Sequence, residues 1–160
     1  MSTGHIQSSR QGVDLSADTI ERALRSAVAD LYQNEPDIDR FSSETAQTEW
    51  NLAAHLAPEI VKYFEGYSYD IDVTKVNYGN RRPDIIIHRR GSETEYNLLV
   101  VEVKREGSQA DINRDFEKVQ YYWFSDGLQY RFGATINLKA GDSSDIKVFG
   151  NPSLGDAQPI

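Results

Sequence analysis

Arg81-Arg82-Pro83-Asp84-Ile85-Ile86-Ile87 and, a short connection later, Leu99-Val100-Val101-Glu102-Val103-Lys104 decide how this chain is read. Each is an apolar strand carrying ionisable groups: a carboxylate at the mouth of the first, a carboxylate and a lysine two apart on the second. Alternate side chains of a strand leave opposite faces, so Glu102 and Lys104 project together while Val101 and Val103 enter the core. Charges inside apolar strands are costly unless paired or bound to metal. Asp84, Glu102 and Lys104 together are the equipment of a divalent-metal site with a lysine beside it, as a phosphodiester-cleaving enzyme requires. The plainer alternative is a Glu102–Lys104 edge pair with an Asp84 that closes the turn after Pro83.

Working outward, Tyr69 to Val76, Pro83 to His88 and Tyr96 to Lys104 read as strands, with Gly79-Asn80 and Gly91-Ser92 as the turns of an antiparallel meander. Ahead of them, a helix is expected from Asp18, boxed by Glu21, with Ile20, Ala23, Leu24, Ala27, Val28 and Leu31 as its stripe and an end before Pro36. A second helix is expected near Glu44 to Phe64. At about 100° per residue, Trp50, Ala53, Leu56, Ala57 and Ile60 make one apolar arc, and Glu49 falls within it. A glutamate aimed at a core needs a metal or a lysine, unless it snorkels to solvent from the helix start. Pro58 should kink this helix or open a new turn.

Downstream, Asp111 to Phe124 reads as a helix with Ile112, Phe116, Val119 and Trp123 inward. Tyr130 to Leu138 alternates as a strand, and Asp145 to Phe149 adds a short edge strand. The order α-α-β-β-β-α-β-β implies an α/β fold, a mixed sheet flanked by helices. Residues 1–15 read as a flexible arm, 16–150 as a single domain and 151–160 as a loose tail.

The 160 residues hold 39% hydrophobic residues and no cysteine, which excludes disulfides and cysteine-ligated zinc. No apolar run approaches a membrane span and Met1 to Asp14 lacks a signal-peptide core, so a cytoplasmic protein without membrane contact is expected. The net charge of −8 is unevenly spread. Lys75 to Lys118 carries nine basic and eight acidic residues, leaving eight basic and seventeen acidic for the rest. With Asp84 and Glu102 neutralised by metal, that segment would be a positive face on an acidic body. Otherwise its arginines decorate solvated strand ends. His88 and Trp123 read as structural rather than as a proton shuttle and a base-stacking platform.

Glu49 on a core helix, Asp84 after Pro83, Glu102-Val103-Lys104 on the next strand, then helix and strand, resembles the PD-(D/E)XK nuclease superfamily, with its restriction-endonuclease-like fold. The segments Arg82 to Arg89, Asn97 to Lys104, Asp115 to Val119 and Tyr130 to Ala134 are similar to a group of small, mostly uncharacterised microbial and prophage-type members. The likeness spans about Glu44 to Lys139. It implies Asp84 and Glu102 as ligands of Mg²⁺ or Mn²⁺, Glu49 as a supporting carboxylate, and Lys104 as the lysine that handles the attacking water or the transition state. Lys118 matches a helix lysine that would touch phosphate, or else pairs with Asp115 in solvent. Arg81, Arg82 and Arg105 complete the expected nucleic-acid contacts.

The function expected is a metal-dependent nuclease acting on nucleic acid, DNA first. The alternatives are a non-catalytic nuclease-like binding module and an acidic nucleic-acid mimic that occupies a protein partner. At 160 residues no separate target-recognition domain is expected, so specificity would come from loops, the N-terminal arm, a homodimer or a partner protein.

Overall fold

The computed structural model describes residues 15–38, 48–72, 82–89, 97–124, 128–139 and 144–152, with side chains in the second segment from Trp50 onward. Expectations for Glu49's side chain, Arg81, both strand turns and the two termini lie outside this set.

The first helix, α1 (Ala17–Asn34), buries the whole predicted stripe from Ile20 to Leu31. Its start differs from the sequence reading. Ser16 caps it, its Oγ accepting from the Thr19 amide at 3.2 Å, so Asp18 lies inside the first turn, where its charge suits the dipole. The helix ends at Asn34, just before Pro36, with the Glu35 amide donating to the Leu31 carbonyl.

Helix α2 (Thr48–Val61) carries Pro58 within its span without stopping there. Leu52, Ala53, Leu56, Ala57 and Ile60 are buried, whereas Trp50, placed on the same arc by the sequence reading, is 48% exposed. The arc is narrower than expected, and Trp50 lies beyond its edge.

The strands β1 (Ser68–Ile71), β2 (Ile85–His88), β3 (Asn97–Arg105), β4 (Phe132–Leu138) and β5 (Asp145–Gly150) form one sheet in the order β1-β2-β3-β4-β5. All neighbours run antiparallel except β3 and β4, which are parallel and joined through the helix α3 (Gln109–Lys118). The fold is therefore α/β, a mixed sheet flanked by helices, with the element order expected. A bulge between β2 and β3 pairs Ile87 with Leu99 and His88 with Asn97, leaving Leu98 as the extra residue.

Alternation then divides the sheet. Ile85, Ile87, Leu99, Val101, Val103, Ala134 and Ile136 pack under α1 and α2 in the larger core. Ile86 and Val100 face the other way, into a smaller cluster with Val119, Trp123, Phe124, Leu128 and Tyr130. The even-numbered face of β3 lies under α3, and there the apolar run is interrupted by Glu102.

Helix α3 begins at a capping box in which Ser108 and Asp111 exchange bonds, three residues before the predicted start. It does not run on to Phe124 as a uniform α-helix. Val119–Trp123 form one π-helical turn, closed by the Phe124 amide donating to the Val119 carbonyl at 3.0 Å. Gly133 on β4 accommodates that turn, because a Cβ there would stand 2.3 Å from Val119 Cγ1 and 2.9 Å from the Phe149 ring.

Candidate metal and phosphate site

Pro83 is buried and delivers Asp84 to the position just before β2. The Ile85–Val101 pairing places Asp84 next to Glu102 on the neighbouring strand. Asp84 Oδ2 accepts from the Val103 amide at 2.7 Å, extending the contact with β3 by one residue ahead of the start of β2. That bond crosses to the neighbouring strand and is not the local contact of an aspartate closing the turn after Pro83, and it occupies one carboxylate oxygen. Oδ1 makes no hydrogen bond among the described residues.

Glu102 is 1% exposed on the central strand. Its Oε1 accepts from the Trp123 indole N–H at 2.9 Å, and its Oε2 lies 3.3 Å from the Lys118 ammonium. Burial pushes the Glu102 carboxyl well above the usual range, and the neighbouring Asp84 charge pushes it further. Lys118 and the Trp123 bond pull in the opposite direction without cancelling the rise. The π turn brings Trp123 to this bond: one extra residue per turn rotates the indole relative to the preceding α-helix, a distortion frequent at functional sites.

Lys104 shares the Glu102 face, as strand alternation predicts, and its ammonium stands 3.9 Å from Asp115 Oδ2. Asp115 is 3% exposed, 3.9 Å from Lys118 as well, and its charge adds to the upward pressure on Glu102. Lys118 is therefore not a solvated helix lysine paired with Asp115 alone. It is half-buried and bridges Asp115 and Glu102.

The sequence alone places Asp115 only as a solvent-side partner of Lys118. Its burial follows from a legible signal: it is three residues from Ile112 and four from Val119, both buried, and so shares their stripe. Phe116, predicted to face inward, is 37% exposed and sits edge-on to Phe149 at 4.7 Å instead.

The remaining candidates are more scattered. Arg82 is exposed and lies 3.4 Å from Asp72. Arg105 follows Lys104 on the strand and so projects to the opposite face, with Glu106 3.8 Å from its guanidinium. His88 Nε2 is 2.6 Å from Asp70 Oδ2 on the neighbouring strand, which suits a structural histidine. Glu49 is the second residue of α2.

Among the described residues, no three histidine, aspartate or glutamate side chains converge to hold an ion unaided. Asp84 and Glu102 offer hard oxygen donors from adjacent strands, and their mutual repulsion would be relieved by a divalent cation. Mg²⁺ is commonly held by one or two carboxylates with waters and substrate phosphates completing the octahedron. A two-carboxylate donor set fits that pattern.

No family model and no curated protein matches the sequence. A solved structure described as "Crystal structure of SSO0001" aligns over 83% of this chain and 66% of its own, at 15% identity and a TM-score of 0.35. A likeness at that level carries no argument about function. No helix among the described residues is long and apolar enough to cross a membrane.

Proposed function

We propose that the protein is a Mg²⁺-dependent nuclease of the PD-(D/E)XK type, hydrolysing phosphodiester bonds, DNA first, at Asp84, Glu102 and Lys104. The observation that supports this most is Glu102: an acid 1% exposed, beside a second carboxylate that raises its pKa, on the face shared with Lys104. A purely structural strand has no use for that arrangement, because each buried like charge opposes folding.

Asp84 and Glu102 would hold the metal, which when bound neutralises phosphodiester charge and lowers the pKa of its water. Lys104, held near Asp115, presents a fixed positive charge where negative charge accumulates as the phosphorus is attacked. Trp123 fixes the Glu102 rotamer, and the apolar cluster around it keeps bulk water from that side of the carboxylate. Lys118 would have to yield Oε2 to an incoming cation, and Asp115 is its ready alternative partner.

One observation favours the second reading, a nuclease-like module that binds without cleaving: both Glu102 oxygens already face protein donors. Calorimetry separates the two. The nuclease reading expects Mg²⁺ or Mn²⁺ to bind wild-type protein and not Asp84→Asn, whereas heat-silent titrations of wild type at millimolar metal support the binding module.

A further inference from the structure

Beyond β4, on the same sheet face as Glu102, a cavity of about 310 Å³ opens between the start of α3 and β5. Sheet register places it. Glu102, Thr135 and Lys147 are partners on one rung across β3, β4 and β5, and Lys104, Asn137 and Asp145 on the next. Successive strands lie about 4.8 Å apart, so the cavity is the immediate neighbour of the candidate metal site.

Its chemistry is specific. Thr135 lines it and is 3% exposed, yet its hydroxyl makes no hydrogen bond among the described residues. A hydroxyl of a buried residue that lines a cavity without a protein partner is open to a ligand. Asn137 is held by two bonds to Gly107, accepting from its amide at 2.9 Å and donating to its carbonyl at 3.1 Å, which fixes the cavity wall. Gly107 is also the wall's point of contact with Lys104, whose Cβ would stand 3.1 Å from an added Cβ. Lys139 and Lys147 supply positive charge at the rim. Asp145 offsets part of both charges, through a 2.8 Å bond to Lys139 and a longer-range attraction to Lys147. The start of α3, at Gln109, adds the positive end of a helix dipole.

We propose that this cavity binds a phosphate group, with Thr135 donating its hydroxyl, Lys147 and Lys139 supplying charge, and the Gly107–Asn137 wall setting its shape. On the nuclease reading, the phosphate is one flanking the scissile bond in the same nucleic-acid strand, so the cavity is the subsite that sets the strand's path across the sheet. The anion site itself does not depend on that reading.

The test is titration of ¹⁵N-labelled protein, in EDTA, with inorganic phosphate, thymidine 5′-monophosphate and a short oligothymidylate. The expected result is amide shifts at Gly107, Gln109, Thr135 and Lys147 on adding the nucleotide, with competition by the oligonucleotide. Thr135→Val and the surface change Lys147→Gln should each weaken binding by roughly tenfold, in line with loss of a hydrogen bond or charge on an ionised ligand. Saturation by inorganic phosphate or nucleotide without oligonucleotide binding keeps the site and assigns it to a free anion. Binding at the cavity by a protein that cleaves nothing keeps the site and removes the nuclease reading. Shifts elsewhere with all three probes, or unchanged affinity in folded Thr135→Val and Lys147→Gln, overturn the proposal.

Discussion

Replacing Glu102 by glutamine should stabilise the metal-free protein at neutral pH, and the size of the gain follows from its surroundings. Removing an ionised carboxylate from water costs several kcal/mol even after relaxation. The Trp123 N–H offsets about 1.5–3 kcal/mol of that as a hydrogen bond to a charged acceptor. Lys118, whose side chain keeps 39% of its exposure, offsets about 1 kcal/mol once solvent screening is allowed for. Asp84 and Asp115 add repulsion. Glutamine keeps an oxygen for Trp123 and drops the charge, and Lys118 can turn to Asp115 and solvent. The expected net gain is about 1–3 kcal/mol, a rise in Tm of roughly 3–8 °C for a chain of this length.

The pH dependence has a definite sign. The folded chain keeps a proton on Glu102 at pH values where the unfolded chain has lost its own. This group's contribution to stability is therefore intact below the ordinary carboxylate range and declines as pH rises through the raised value. Thermal melts of wild type and Glu102→Gln in EDTA, from about pH 4.5 to 8, should diverge as pH increases, with the variant higher. A variant less stable than wild type throughout, by a margin that does not change with pH, would refute the argument and make Glu102 a net stabilising hydrogen-bond acceptor.

Mg²⁺ at millimolar concentration should raise the wild-type Tm, since a ligand that binds only the folded state stabilises it, and Asp84→Asn should abolish the rise. Gly133→Ala should lower stability by about 1–3 kcal/mol in denaturant melts, because the new methyl meets Val119 and Phe149 and must displace the π turn. The same variant should alter Trp123 fluorescence as the indole moves from Glu102. Ser108→Ala should cost about 1 kcal/mol through loss of the capping box at the start of α3, read by the same melts.

Much of the fold was legible because it rests on local periodicity. The stripe of α1, the meander of β1 to β3 and the alternation of β4 are repeated patterns in which each residue reinforces the next. The juxtaposition of Asp84 with Glu102 and of Glu102 with Lys104 was legible for the same reason, since strand alternation fixes faces. Features set by packing between elements were not. The π turn at Val119–Trp123 depends on the missing side chain of Gly133, fourteen or fewer residues away in sequence but on another element. Trp50's exposure and the edge-on contact of Phe116 with Phe149 depend on neighbours that helical spacing does not reveal. Asp115 was within reach, since the Ile112–Asp115–Val119 stripe is in the sequence. An acid on such a stripe is ordinarily a surface residue, so the pattern alone does not mark it as buried.

The most direct test is cleavage itself. Purified wild type, Glu102→Gln and Lys104→Ala are incubated with plasmid, linear duplex and single-stranded DNA, with Mg²⁺, with Mn²⁺ and with EDTA. Metal-dependent cleavage is expected from wild type, none from Glu102→Gln, and a loss on the order of 10²–10³-fold in Lys104→Ala with metal binding retained, as when one transition-state charge is removed. Cleavage at the wild-type rate in both variants, or in EDTA, would contradict that expectation.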